Sequence, residues 1–152
     1  MKIMTPIGPF WLQADDTGLT RGTFTPLPED SAEKNNPHLA QAKKELAEYF
    51  AGQRQNFTVP LSIKVGTAFQ RQVWQALQQI PFGDTRSYQA VAQAIDNPKA
   101  VRAIGQANRH NPIAIIIPCH RVIGKNGQLT GYMGTSGVEL KRQLLALEGA
   151  AF

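Results

Sequence analysis

Cysteine is the scarcest reactive residue in this sequence: Cys119 stands alone among 152 residues. One thiol excludes a disulfide within the chain and argues against a zinc site built on cysteines. It also fits a reducing compartment, so a cytoplasmic location is expected. Long hydrophobic runs are missing as well. The apolar stretch at 113–117 is far too short to cross a bilayer, and no membrane partner is expected. The first nine residues hold no apolar segment and are interrupted by Pro6 and Gly8, so they do not read as a signal peptide. There is no internal repeat and no low-complexity tract. What remains is the balance of a globular chain, 42% hydrophobic and 18% charged, of a size for one domain or two small lobes.

The net charge is +5, and it is unevenly spread. Residues 1–63 carry six Lys/Arg against seven Asp/Glu, whereas 64–152 carry ten against four. The basic half is the half with Cys119. Such asymmetry points to a polyanion meeting that half, with ordinary surface lysine and arginine as the alternative.

The acidic half reads as a hairpin followed by a helix. Residues 8–14 and 19–24 are extended, and Asp15-Asp16-Thr17-Gly18 between them is a turn signal. Pro26 and Pro28 mark a loop. Asn36 is placed to cap a helix with Pro37 in its first turn, an apolar stripe of Leu39, Ala42, Leu46 and Phe50, and Gly52 as the stop. Residues 57–63 look extended.

The basic half is mostly helical. Thr67 and Gln70 form a capping box, and Phe69, Val73, Trp74, Leu77 and Ile80 repeat at helical spacing. Ser87 caps a helix over 88–95. Asp96-Asn97-Pro98 is a tight turn, with Asn97 as the cap of a helix over 99–108. Two short helices so joined read as a helix-turn-helix. The second carries small residues, Ala100, Ala103 and Gly105, around Arg102. Such residues let a backbone approach a surface closely, whether nucleic acid or another helix. After Cys119, Asn126-Gly127 predicts a hairpin turn. Ser136 and Glu139 make a second capping box, and Val138, Lys141, Leu144 and Leu145 continue a helix to Glu148, which Gly149 stops. The expected fold class is therefore α+β. A small N-terminal lobe (1–63) holds a β-hairpin or sheet and one helix. A helical C-terminal lobe (64–152) holds the helix-turn-helix and an active-site loop.

The chemistry centres on Ile117-Pro118-Cys119-His120-Arg121-Val122. A free thiol is mostly protonated at neutral pH, so a nucleophilic cysteine needs a base or a cation nearby. His120 is adjacent, but neighbouring side chains point apart, which favours a bridging water over direct contact. Glu148 sits where a helix dipole disfavours a carboxylate. His120 or Arg121 could balance it, giving a Glu148–His120–water–Cys119 relay; a solvated helix end is the alternative. Asn111-Pro112 lies between the second helix and the cysteine segment, where an asparagine amide could bridge two backbone segments.

These residues resemble the signature of the O6-alkylguanine-DNA alkyltransferases, the methylated-DNA–protein-cysteine methyltransferases. The similarity covers 66–149, including Thr67-Ala68-Phe69-Gln70, Ser87-Tyr88, the Arg102 helix, Gly131-Tyr132 and Leu147-Glu148-Gly149. The N-terminal lobe matches in outline through Thr5-Pro6-Ile7-Gly8-Pro9. The resemblance implies that Cys119 accepts an alkyl group from O6-alkylguanine in DNA once and irreversibly, with O4-alkylthymine as a second candidate substrate. It implies that His120, a water and Glu148 activate the thiol and that Asn111 is a hinge. Tyr88 would press on the target phosphate and protonate the leaving guanine. Arg102 would fill the stack left by a flipped base, with Ala100, Ala103 and Gly105 in the minor groove of double-stranded DNA. Tyr132, Met133, Gly134, Ala114 and Val122 would line the base pocket. Relative to the family pattern, Thr135-Ser136 reads as an insertion, Met133 replaces a smaller or polar residue, and Ala114 stands where some members have proline, which makes room for bulkier alkyl groups. The zinc-binding cysteines of some relatives are missing, so no metal and no cofactor is expected, and the protein should be a monomer.

Two other readings stay open. One is a damage sensor of the alkyltransferase-like kind, which lacks the nucleophile; Cys119 argues against it. The other is a cysteine hydrolase, for which a contiguous Cys-His pair is poor geometry.

Overall fold

The computed structural model describes residues 1–29, 33–129 and 137–152. The fold is α+β, and the chain forms two compact units, residues 1–65 with 112–114, and residues 66–111 with 115–152.

The first unit is built on a three-stranded antiparallel sheet of β1 (Lys2–Thr5), β2 (Gly8–Ala14) and β3 (Leu19–Thr23), in that order across the sheet. The predicted hairpin is β2–β3. Its turn is held by Asp15, whose carboxylate accepts the N–H groups of Thr17 and Gly18, the Ser62 hydroxyl and the Lys64 ammonium at 2.9 Å. Pro9 sits in the central strand because its missing N–H faces the β3 side beyond the end of that strand. The outer edge of β3 is covered twice. Leu19 pairs with the 60–62 segment, and Gly22 exchanges hydrogen bonds with Pro112 and Ala114 (2.9 and 2.8 Å).

Helix α1 (Pro37–Phe50) starts as the sequence predicts: the Asn36 side chain accepts the His38 N–H at 2.8 Å and Pro37 opens the first turn. Its buried face is Leu39, Ala42, Glu45, Leu46 and Tyr49. Tyr49 thus takes the core place expected for Phe50, which is half-buried. Glu45 is only 2% exposed. Burial opposes its charge. Hydrogen bonds from the Thr58 hydroxyl, Gln41 and the backbone N–H groups of Thr58 and Val59 outweigh that, and its pKa lies below the usual glutamate value. Those bonds tie the 58–59 segment to the helix.

In the second unit, α2 (Ala68–Leu77) carries the complete Thr67/Gln70 capping box. Val73, Trp74 and Leu77 are its buried residues; Ile80 is buried too, but just past the helix end. The Trp74 indole N–H donates to the carbonyl of Ala107 at 2.9 Å. Gly66, at φ +90°, lies so close to the Trp74 ring that an added Cβ would approach it to 2.5 Å. Ser87 caps α3 (Tyr88–Ala94) through the Ala90 N–H. Helix α4 (Val101–Arg109) begins two residues later than predicted. Asn97 does not cap it; its carbonyl closes a turn with the Ala100 N–H, and Ala100 is the N-cap without a side-chain bond. Arg86–Ser87 (β4) pairs in parallel with Val122–Ile123 (β5). At the predicted Asn126-Gly127 turn, residues 125–127 make a 3-10 turn and the Gly124 N–H donates to the Gln128 carbonyl at 2.7 Å; β5 pairs with β4, and most of the segment that would return as a second hairpin strand lies outside the described residues. Helix α5 (Gly137–Leu147) closes the unit, burying Lys141, Leu144 and Leu145. Of the second capping box, Ser136 lies outside the described residues. Among the described residues no helix is long and apolar enough to cross a membrane.

The Glu45 clamp gives a stability test. Glu45→Ala leaves the N–H donors of Thr58 and Val59, the second of them buried, without their carboxylate and should lower the unfolding free energy in urea by about 1–3 kcal/mol. Because the folded pKa of Glu45 is depressed, its contribution is complete above the ordinary glutamate pKa. It disappears as pH falls through the lower folded value, so the difference between the proteins should shrink in acid.

Candidate active site

The cysteine segment reaches its position through an uncommon backbone conformation. Ile115 has φ +71° although it is β-branched and only 1% exposed. A left-handed conformation at such a residue costs about 1–3 kcal/mol and persists only where the surroundings dictate it. Residues 112–120 are all buried. From this run the chain enters a short 3-10 turn, Cys119–Arg121, that leads into β5.

Asn111 holds the turn from the end of α4. Its amide nitrogen donates to the carbonyl of Ile117 at 2.8 Å and to the Sγ of Cys119 at 3.1 Å. One side chain thus fixes both the backbone before the thiol and the thiol itself.

On the other side of the turn lies Glu148, 5% exposed, just beyond α5. It is not a frayed helix end. Arg121 grips it with two hydrogen bonds, Nε to Oε1 at 2.8 Å and Nη2 to Oε2 at 2.9 Å, and the remaining Arg121 Nη1 donates to the carbonyl of Ile80 at 2.7 Å. The same Oε2 lies 2.8 Å from Nε2 of His120, which is fully buried. A carboxylate can only accept, so Nε2 carries the hydrogen and Nδ1 presents a lone pair. That Nδ1 is buried and has no hydrogen-bond partner among the described residues. Burial depresses the pKa of His120 against the pull of Glu148, which keeps the ring neutral at pH 7.

Lys141 is the residue that sequence reasoning missed as a functional candidate. Spacing puts it in the α5 stripe, and it does point inward, 0% exposed. Its Nζ lies 5.9 Å from the centre of the Tyr88 ring. Desolvation brings its pKa down to about 8, opposed by interaction with Cys119. The signal was a lysine at an apolar position of a helix. The thiol feels the same environment: burial pushes Cys119 up to about 11, offset by the Asn111 hydrogen bond and the charge of Lys141. The resting site therefore holds a protonated thiol, a neutral imidazole oriented as a base, an ion-paired carboxylate and a buried ammonium.

The other predicted residues are distributed as follows. Tyr88 is half-buried at the start of α3, with Gly105 across from its ring. Arg102 and Ala103 are exposed on α4 beside Val101, Gln106 and Arg109, while Ala100 precedes the helix. Val122 is fully buried in β5. Ala114 belongs to the first unit, its N–H bonded to Gly22. Tyr132, Met133, Gly134 and the Thr135-Ser136 insertion lie outside the described residues. No group of three or more His, Cys, Asp or Glu that could hold a metal ion occurs among the described residues.

A thiol bonded to an asparagine amide beside a buried Arg–Glu–His cluster is the arrangement against which the chain can be compared with known proteins. Residues 68–150 match the family described as 6-O-methylguanine DNA methyltransferase, DNA binding domain, and residues 1–63 match its ribonuclease-like domain. The chain belongs to this family. It is 46% identical to the constitutive methylated-DNA–protein-cysteine methyltransferase of Bacillus subtilis, over 97% of this chain and 93% of that one. Among solved structures it superposes on the O6-methylguanine methyltransferase of Mycobacterium tuberculosis with a TM-score of 0.85 at 45% identity, covering 97% of this chain and 90% of that one. It is equally similar in sequence to the Mycobacterium tuberculosis OGT solved in complex with DNA, with a TM-score of 0.83 and coverage of 97% and 91%.

The buried ammonium gives a testable consequence. Lys141→Met removes a charge that favours the thiolate, so the Cys119 pKa should rise further. The rate of alkyl transfer from free O6-benzylguanine at pH 7 should drop about tenfold for each unit of that rise, and recover as pH is raised. A pH–rate profile of the two proteins reads this directly; a profile lowered equally at every pH would assign Lys141 a packing role instead.

Proposed function

We propose that this chain repairs DNA by transferring the alkyl group of O6-alkylguanine to Cys119 in a single irreversible turnover. The observation that carries the reading is the buried Arg121–Glu148–His120 cluster next to a thiol held by Asn111. It supplies an oriented neutral base without a permanently ionised, oxidisable thiolate.

In this mechanism the thiol proton passes through a water to Nδ1 of His120, and Glu148 stabilises the imidazolium that forms. The sulfur attacks the alkyl carbon, a C–S bond forms, and the C–O6 bond breaks with its electron pair going to guanine. The leaving guanine anion takes a proton from the Tyr88 hydroxyl, which is restored from solvent. Lys141 supplies positive charge while negative charge moves from sulfur to base. The product is a thioether, and with no second cysteine in the chain to resolve it the site is spent.

An O6-alkyl group is buried inside a duplex, so the target nucleotide must be rotated out. The exposed face of α4 supports a groove-binding role: Arg102 projects beside Ala103, with Arg109 farther along the same helix. Small residues admit the backbone to the minor groove, and a long cation replaces the extruded base in the stack. Sequence tolerance follows, because phosphate contacts and shape position the protein while no base edge needs to be read. Tyr132, Met133, Gly134, Ala114 and Val122 are proposed to line the base pocket, and acceptance of O4-alkylthymine is part of the same reading. We further propose that the protein acts as a monomer in the cytoplasm and uses neither metal nor cofactor.

Intact-mass measurement after mixing with duplex DNA bearing O6-methylguanine should show a gain of one CH2 unit per chain, absent in Cys119→Ser. Tight binding with no gain would indicate a damage sensor, and repeated turnover of an ester or amide a hydrolase.

For the helix, Arg102→Ala should slow repair of duplex DNA far more than transfer from free O6-benzylguanine. A loss of tenfold or more on the first and under twofold on the second is expected, at least about 1 kcal/mol of difference. Equal losses on both substrates would remove Arg102 from the role of base replacement.

A further inference from the structure

Residues 80–87 and 121–123 run side by side in the second unit, and the contacts between them reach the buried ion pair. At one end, the Ile80 carbonyl accepts from Nη1 of Arg121 at 2.7 Å. At the other, β4 pairs with β5, with Arg86 opposite Val122 and Ser87 opposite Ile123. Between them the chain turns at Pro81-Phe82-Gly83-Asp84, closed by a hydrogen bond from the Asp84 N–H to the Pro81 carbonyl at 3.0 Å. Gly83 takes φ +85° at the third place of this turn, a conformation that a side chain disfavours. A Cβ added there would come within 3.3 Å of the backbone carbonyl oxygen of Glu148. Glycine thus acts twice: it makes the turn, and it lets the turn lie against Glu148.

The same turn presents Phe82 to the other member of the pair. The guanidinium carbon of Arg121 stands over the Phe82 ring, 5.9 Å from its centre. The N–H groups of Arg121 are engaged in their own plane, Nε and Nη2 by the Glu148 carboxylate and Nη1 by Ile80. A guanidinium held at its edges still offers its flat faces, and the face of an aromatic ring attracts that cation. Phe82 is half-buried while Arg121 is buried, so the ring is the more exposed of the two. Edge-on bonds set how far the guanidinium stands from the carboxylate. Contact on its face resists tilting out of that plane. A tilt would carry Glu148 along, because two hydrogen bonds join the groups, and it would displace the Oε2 that lies 2.8 Å from Nε2 of His120.

We propose that Phe82 is a positioning residue for alkyl transfer: its ring holds the plane of the Arg121 guanidinium, and through it the Glu148 oxygen that orients His120. The inference rests on the reading of His120 as the base that takes the thiol proton. Phe82 acts only through Arg121 and Glu148. An aliphatic side chain of similar bulk fills the same space without the negative ring face, so the requirement is for the ring rather than for its volume.

The test compares Phe82→Leu, Phe82→Tyr and His120→Gln in the full chain. Single-turnover transfer from O6-benzylguanine over a range of concentrations gives a limiting rate and a half-saturating concentration. Phe82→Leu should lower the limiting rate at least about threefold and leave the half-saturating concentration within about twofold, while Phe82→Tyr keeps the original rate. In NMR spectra of isotope-labelled histidine, the parent protein should show His120 as one tautomer protonated at Nε2, and Phe82→Leu a mixture of two. An unchanged limiting rate in Phe82→Leu overturns the proposal, even if that variant melts earlier, since the ring would then serve packing alone. Equal losses in the Leu and Tyr variants overturn it too, as does slowed transfer with the His120 tautomer intact. Phe82→Met supplies the same comparison should the leucine variant not fold. The His120→Gln variant separates the two layers. A rate equal to the parent's removes the base and the positioning with it, whereas a slow His120→Gln beside an unaffected Phe82→Leu overturns the positioning alone.

Discussion

The site is organised around one carboxylate. Glu148 stands where the end of a helix repels negative charge, and burial adds a desolvation cost that only close partners can offset. Arg121 provides two parallel hydrogen bonds, and Ile80 takes the rest of that guanidinium. Breaking such a buried pair by removing one partner typically costs about 3–5 kcal/mol, because the survivor is left charged and alone. The carboxylate does a second job through its Oε2. By accepting from Nε2 of His120 it fixes which ring nitrogen is basic. The pair that anchors α5 to the cysteine turn thus also sets the tautomer that the proposed proton removal requires.

The thiol is balanced between opposing influences rather than simply activated. Burial holds its proton on; the Asn111 amide and the Lys141 ammonium favour releasing it. Asn111 also bonds the Ile117 carbonyl, and the left-handed Ile115 lies just upstream. The geometry around sulfur is therefore over-determined by packing and hydrogen bonds before any substrate arrives, as a preorganised site requires. Family membership and these contacts support one another, yet each rests on separate facts, one on sequence and superposition, the other on distances.

What was legible in the sequence was mostly local. Asn36, Thr67 and Ser87 cap their helices because a short side chain bonding a backbone N–H two or three residues on needs nothing from the rest of the chain. Glu148 was legible as an anomaly in need of a cation or donor, and it has both His120 and Arg121. The failures were tertiary. Asn126-Gly127 has the local chemistry of a turn and makes one, but nothing local reveals that β5 pairs with β4, far back in the chain. Asn97 looked like a cap, yet after Pro98 the chain completes another turn before α4 begins. Lys141 fell on the apolar stripe, and no spacing rule says that its ammonium shares an interior with a thiol. Strand β1 is short and half polar, and only its pairing with β2 reveals it.

The enclosure of Cys119 carries a further implication, for chemical durability. Oxidants and disulfides in a cell attack thiolates that solvent can reach, and they convert them stepwise to sulfenic, sulfinic and sulfonic acids. A sulfur 2% exposed and protonated at neutral pH offers those reagents almost no foothold. A molecule able to act once gains most from this, since accidental oxidation would consume it as surely as its substrate does. Under the proposed single-turnover reaction, slow intrinsic reactivity in the resting state preserves the chain until a lesion is found.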